Sequence, residues 1–290
     1  MARLRLITLI LWLVFITGST ALAKDPVNHP RTIEVHGHRG ARAVFPENSL
    51  AGFRYAISIG VDYIELDLRV TADGHVVIAH DAELDSELCL DRYGNTIQPE
   101  IKIHELTLNE LKEFDCGSLP NPDFPKQHTV PGSRILTLAE LLDLITNMQN
   151  KNAEKVGMHI ELKTFPRHSV PPSREFANLV VPQIKRAGLL DRTIFQSFDP
   201  RYTAEANKLA RQLGRSGVPS VISPRFNWIT KWFVKILHMF GFKVIPWTAN
   251  TEKVWNKLIR MRVDGIITDN PEELIRYLRK KPQMQLDEDL

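Results

Sequence analysis

Residues 35 to 81 read VHGHRGARAVFPENSLAGFRYAISIGVDYIELDLRVTADGHVVIAHD. Taken by period, the stretch gives strand, loop, helix, strand, tight turn, strand. Ile33 to His38 is short and closed by Gly40, the pattern of a strand running into a turn. Asn48-Ser49 opens a helix whose apolar positions Leu50, Phe53, Ala56 and Ile57 fall at helical spacing. Tyr63 to Leu68 is a second strand, Asp73-Gly74 a turn, and Val76 to Ala79 a third strand.

Polar residues that would be out of place in a packed core sit at the ends of these strands. Glu65 and Asp67 are two apart, so the pleat aims both carboxylates at one face. His38 ends the first strand and His80 the third. In a sheet of parallel strands joined through helices, the carboxyl edge is where sites are built. Each residue alone is explained by a loop or a surface charge; the four together point to a site.

Working outward, the amino end carries Arg3 and Arg5, an uncharged run from Leu6 to Thr17, and small residues ending Ala21-Leu22-Ala23. The run is too short for the roughly twenty residues of a bilayer span, so residues 1–23 are expected to be a cleaved signal peptide. The mature chain would then be exported, periplasmic or secreted, with no stable membrane span. Its removal takes two of the 37 basic residues and none of the 34 acidic ones, which leaves a formal charge of +1 and no electrostatic footprint for nucleic acid. One domain over 24–280, followed by a disordered tail at 281–290, is the expected organisation. Two cysteines, Cys89 and Cys116, are either a disulfide of an exported protein or two buried thiols. Oligomeric state is not legible.

After His80 the regular alternation is interrupted. Thr107 with Glu110, and Thr137 with Glu140, have the spacing of capping boxes, and the second opens a helix through Met148. The proline-rich stretch from about 86 to 132 reads as a small insertion over the polar rim, a lid or a decoration. Strands are expected at 158–162, 193–198, 218–223, 243–249 and 265–268, with helices between. Within 226–240, Ile229, Trp232, Phe233, Ile236, Leu237 and Phe240 make one stripe suited to a helix covering the sheet. Trp228 and Trp232 beside Lys231 and Lys235 would also suit a membrane surface. Eight strands alternating with helices over about 250 residues describe an α/β (β/α)8 TIM barrel. It has a small insertion after strand 3 and a shortened or irregular sixth unit.

The ordered set HRG at 38–40, PEN at 46–48, ELD at 65–67, HD at 80–81, ELK at 161–163, PWTANT at 246–251 and DGIITDNP at 264–271 resembles the glycerophosphodiester phosphodiesterase family. The resemblance runs from Glu34 to about Leu278. It implies metal-dependent hydrolysis of a small-molecule glycerophosphodiester to sn-glycerol 3-phosphate and an alcohol. It also implies one divalent cation, often Ca2+ or Mg2+, on Glu65, Asp67 and Glu161, with His38 and His80 as general acid and base. In the family the attacking group is thought to be the substrate's own glycerol hydroxyl. By the same resemblance Glu47 matches the acid of the PEN motif and Trp247 the aromatic lining the pocket. Between the fifth strand and PWTANT the chain is compressed relative to the family, which puts the sixth unit and closure of the barrel in question.

The residue types suit that chemistry. A phosphodiester anion needs its charge neutralised, an attacking oxygen activated and a leaving oxygen protonated. Three carboxylates are hard ligands for a hard cation, Arg39 offers a fork and Lys163 a point charge to phosphate oxygens, and two imidazoles titrate nearest neutral pH. Glu47 serves either the substrate and metal or the helix start, and Trp247 either the pocket or the core. His36, one layer below His38, is expected to be a hydrogen-bonded core histidine, and Asp269 a helix cap. A lysophospholipase D and a non-catalytic phosphodiester-binding barrel are the alternative functions.

Overall fold

Along β2 (Tyr63–Val70) apolar and polar residues alternate, and the pleat sends them to opposite faces. Ile64, Leu66 and Leu68 are fully buried in the main core with Phe53, Ala56 and Ile57 of α1 (Leu50–Ile59). Tyr63, Glu65 and Asp67 turn the other way, into the space the strands enclose. The computed structural model describes residues 33–166, 169–217 and 220–280; the expected signal peptide and tail lie outside them.

β2 pairs in parallel with β1 (Glu34–Gly37) on one side and β4 (Gly157–Leu162) on the other. β4 continues to β5 (Thr193–Gln196), and β1 to β8 (Gly265–Thr268). A second parallel pair joins β6 (Val221–Ile222) to β7 (Lys243–Val244). Backbone bonds from Asp264 to Val244, Ile267 to Pro246 and Ala249 to Ile267 tie the β7 segment to β8. Helices α4 (Ser173–Arg186), α5 (Pro200–Gln212), α6 (Lys231–Met239), α7 (Glu252–Arg260) and α8 (Pro271–Lys280) follow β4, β5, β6, β7 and β8. This is the α/β barrel order expected from the sequence.

One of the eight expected strands is not a stave. β3 (Val76–Ile78) runs antiparallel to the end of β2, with Leu68 opposite Ile78 and Val70 opposite Val76. The cause is local: Thr71 to His75 form a tight turn with Gly74 at φ 82, and a chain reversed in five residues can pair only antiparallel. Seven parallel strands remain among the described residues.

The irregular sixth unit is visible as an interruption between β5 and β6, where no backbone hydrogen bond joins the two among the described residues. Side chains occupy that edge instead. Arg215 donates to Thr193 O at 3.4 Å and to Asn207 Oδ1 at 2.6 Å, and its guanidinium lies 5.7 Å from the Phe195 ring centre. An exposed strand edge left with unpaired groups is a liability, and a guanidinium supplies donors without a strand.

The segment after β3 builds a core of its own from Val77, Ala79, Leu84, Cys89, Ile97, Ile103 and Leu111. Both expected capping boxes are present, opening α2 (Leu108–Leu111) and α3 (Leu138–Asn147). Cys89 and Cys116 are joined. The insertion docks on the loop after β1: His128 N donates to Val44 O, Gln127 Nε2 to Arg42 O, and Arg42 lies 5.0 Å from the Phe124 ring centre. That loop carries part of the polar rim, so the insertion stands beside the site as its place in the chain requires.

The stripe expected over 226–240 is narrower than its spacing suggests. Thr230 caps α6, so the helix begins only at Lys231; Val234 and Leu237 are buried, while Trp232 and Phe240 face outward.

Replacing both Cys89 and Cys116 by Ser removes the constraint on a 27-residue separation and is expected to destabilise the chain by about 3 kcal/mol in chemical denaturation. An unchanged midpoint would show that the insertion's apolar core holds without the cross-link.

Candidate active site

Register decides which side chains meet. Asp67 lies directly across from Glu161 and Glu65 across from His159, so the polar face of β2 looks onto the polar face of β4. One carboxylate oxygen each from Glu65, Asp67 and Glu161 lies within 4.8 Å of the other two, and all three residues are buried. Lys163 Nζ contacts Asp67 Oδ1 at 2.9 Å and Glu161 Oε1 at 3.0 Å. The backbone N–H of Arg39 donates to Glu65 Oε2 at 3.0 Å, and its Nε stands 3.5 Å from Asp67 Oδ2. Arg39 adopts φ 47, a left-handed conformation that a non-glycine residue holds only where surrounding contacts fix it.

Charge is unevenly settled in this cluster. Burial and then the neighbouring charge of Asp67 push the Glu65 carboxyl well above its ordinary range. Burial alone would raise Asp67 too, yet Lys163, Arg39 and His80 hold it far below. Asp67 Oδ2 nonetheless has no hydrogen-bond partner in the protein. An all-oxygen donor set, an unpartnered buried carboxylate oxygen and a second carboxyl driven toward protonation fit a hard divalent cation, which would relieve all three.

His38 and His80 arrive by different routes. His38 Nδ1 lies 2.5 Å from Asp269 Oδ1, and its Nε2 is 3.9 Å from Glu65 Oε2. His80 Nδ1 is 2.9 Å from Asp81 Oδ1, on the more open side. The antiparallel hairpin brings His80 back to the level of Asp67: Ala79 N donates to Asp67 O, and Arg69 clamps the His80 carbonyl at 3.0 and 2.7 Å. Glu47 holds Arg39 Nη1 with both oxygens at 2.8 Å and receives Arg42 Nε at 2.6 Å. The helix start belongs instead to Ser49, whose hydroxyl caps Gly52 N. Trp247 donates to Ser223 O at 2.8 Å and meets Phe198 edge-on at 6.1 Å; no hydrogen bond or ring contact links it to the acidic cluster among the described residues.

Asp269 is the main residue whose role the sequence reading missed. Expected to cap the helix α8, its carboxylate instead holds His38 with one oxygen and accepts from Asn250 Nδ2 with the other. Burial opposes its charge, but His38 and Asn250 keep its carboxyl below the ordinary value. The signal was present in DGIITDNP, yet seeing it requires knowing that β8 pairs with β1, which sets His38 N on Thr268 O.

The family profile for glycerophosphoryl diester phosphodiesterases matches residues 38–231 and 203–273, which include all of these positions. The chain belongs to the glycerophosphoryl diester phosphodiesterase family. A glycerophosphodiester phosphodiesterase of Caldanaerobacter subterraneus is 29% identical over 263 residues, covering 85% of this chain and 98% of that protein. Among solved structures, a Silicibacter pomeroyi protein assigned by name to the same activity matches with TM-score 0.79 and 29% identity over 87% of this chain and 95% of that one. An Oleispira antarctica phosphodiesterase, solved with sn-glycerol-3-phosphate, shares the fold at TM-score 0.65 and 22% identity over 85% and 96% of the two chains.

Beneath the acidic cluster, this member of the phosphodiesterase family carries a buried polar chain. Gln196 Nε2 donates to Glu161 Oε2 at 3.4 Å, which turns its carbonyl toward His159 Nε2 at 2.9 Å. His159 Nδ1 then meets His36 Nδ1 at 3.1 Å. Since Gln196 Oε1 accepts only, His159 Nε2 carries a proton, and neutral His159 accepts from His36 through Nδ1. His36 is thus the hydrogen-bonded interior histidine its position implied, stacked on Tyr63 with ring centres 4.5 Å apart. Burial first, and the neighbouring His36 second, lower His159 to about 3.

Two measurements follow from this geometry. Below the ordinary histidine value of 6.5 the unfolded chain binds a proton that the folded interior refuses until about pH 3. Stability is therefore full above pH 6.5 and lost as pH falls, at up to about 1.4 kcal/mol per unit, and His159→Leu should flatten that slope in equilibrium denaturation. Asp269→Asn removes the carboxylate from His38 and is expected to lower kcat on the order of a hundredfold with little change in KM; an equal rise in KM would place Asp269 in substrate binding.

Proposed function

We propose that this protein hydrolyses glycerophosphodiesters to sn-glycerol 3-phosphate and an alcohol in a metal-dependent reaction on Glu65, Asp67 and Glu161. Family membership and relatives named for that activity support the reaction class. The observation that carries the finer reading is the convergence of three buried carboxylates beside an arginine, a lysine and a carboxylate-held histidine. A bound divalent cation, Ca2+ or Mg2+ by the hardness of its ligands, would neutralise phosphodiester charge and favour attack at phosphorus.

The chain's own residues supply the rest. Lys163 and the Arg39 fork, the latter held in place by Glu47, bind the remaining phosphate oxygens. His38 presents Nε2 as a base, because the buried Asp269 carboxylate on Nδ1 stabilises the imidazolium that forms when it takes the proton of the glycerol hydroxyl. His80, with Nδ1 on the more exposed Asp81, delivers a proton to the departing alcohol, which leaves a cyclic glycerol phosphate; water then opens the ring to sn-glycerol 3-phosphate, with the two histidines exchanging proton roles. Trp247, edge-on to Phe198, borders the bound substrate. Residues 1–23 support export to the periplasm or beyond, and the Cys89–Cys116 disulfide suits an oxidising compartment.

The deciding experiment incubates the purified chain with glycerophosphocholine, with and without a chelator, and identifies the products. Free choline and glycerol 3-phosphate, formed only when divalent metal is present, are expected. Choline phosphate would mean that a different bond is cut, chelator-resistant turnover would remove the metal, and no turnover across several headgroups would leave a binding barrel.

A further inference from the structure

Helix α6 is apolar on two faces, yet only one of them is covered. Val234 and Leu237 are buried and Phe233 partly so, packing against the main core. Exposed around it are Trp228 in the turn before the helix at 69%, Trp232 at 65%, Met239 at 75% and the C-cap Phe240 at 53%. Trp232 and Met239 are seven residues apart, two turns of one face, with Lys235 between them. Large apolar side chains left open beside a helix face that already packs on the core mark an unpartnered surface.

Charge is concentrated at the same place. Helices α6 and α7 carry Lys231, Lys235, Lys253, Lys257 and Arg260, all exposed, against the single acid Glu252, whereas the whole chain has an excess of only three positive charges. Lys231, Lys253, Lys257 and Arg260 line a groove of about 460 Å³ with Asn256 and Met261. None of these four cations is in an ion pair among the described residues.

Indoles flanking a lysine cluster, with a thioether and a benzyl group further along the helix, are the composition of a surface that enters the headgroup layer of an anionic membrane. A nucleic acid or acidic protein would use the cations but gives Met239 and Phe240 no apolar phase to enter. No helix among the described residues is long and apolar enough to cross a bilayer, and surface contact does not need one.

We propose that the outer face of α6, with the cationic groove it forms with α7, docks the protein on anionic phospholipid bilayers. Binding is shallow and electrostatically assisted, with Trp228 and Trp232 among the headgroups and the lysines and arginine against lipid phosphates. The surface does not depend on catalysis, so it stands or falls separately from the proposed hydrolysis.

The test uses the full chain in flotation with vesicles of phosphatidylglycerol and phosphatidylcholine, compared with phosphatidylcholine alone. Stronger binding to the anionic vesicles is expected, with a blue shift of tryptophan emission. The pair Trp228→Ser/Trp232→Ser, and separately Lys253→Gln/Lys257→Gln/Arg260→Gln, should each weaken anionic-vesicle binding on the order of tenfold. Thermal melting and glycerophosphocholine turnover of the variants report whether the fold and the site survive. Binding that both sets leave unchanged would assign attachment to the apolar run at residues 6–17 and overturn the proposal. So would equal binding to both vesicle types, or retention on heparin that matches the vesicles and ignores the tryptophans.

Discussion

Three carboxylates are forced together inside the carboxyl edge of this barrel, and the remaining polar architecture answers that constraint. Unopposed, Glu65, Asp67 and Glu161 could not all stay ionised at such separations in a site largely closed to water. Lys163 bridges two of them, while the Arg39 side chain faces Asp67 and its backbone reaches Glu65. Glu47 in turn holds Arg39 and is itself held by Arg42, on which the insertion packs. Charge compensation thus spreads from the strand ends through the β1 loop to Phe124 and Gln127 of the insertion.

The two histidines are set by different devices, and the difference matters chemically. His38 depends on the closure of β8 against β1, which delivers Asp269 to its Nδ1. His80 depends on a hairpin that doubles back along β2 and on Arg69, buried beneath it, which grips its carbonyl. One imidazole therefore faces a carboxylate fixed in the interior and the other a carboxylate near solvent. The proposed division of proton tasks between the two rests on that asymmetry of surroundings.

The barrel also tolerates an incomplete wall. Between β5 and β6 the ladder is interrupted, yet the candidate site residues stand at the ends of β1, β2, β4 and β8 and in the hairpin, all within the continuous pairing that runs from β5 to β8. Arg215 satisfies part of the β5 edge, and the chain His36–His159–Gln196 ties β1, β4 and β5 together from the inside. An interior held by directional hydrogen bonds leaves less freedom for those strands to slide than an apolar filling of the same volume.

The sequence by itself determined the α/β alternation, the seven motifs, the acids at 65, 67 and 161, and both capping boxes, because these depend on period and on neighbours close in the chain. His38, Arg39 and Lys163 were legible for the same reason, each standing next to a strand end, and Glu47 through its place in the PEN motif ahead of α1. Only the tertiary structure decided that Val76–Ile78 is a hairpin arm, that Asp269 serves His38, that Cys89 meets Cys116, and that Trp232 and Phe240 look outward. Strand direction, cross-barrel adjacency and the covered side of a helix are set by which distant segments pack together. A 3.6-residue or two-residue period fixes how many faces an element has, and leaves open what each face will meet.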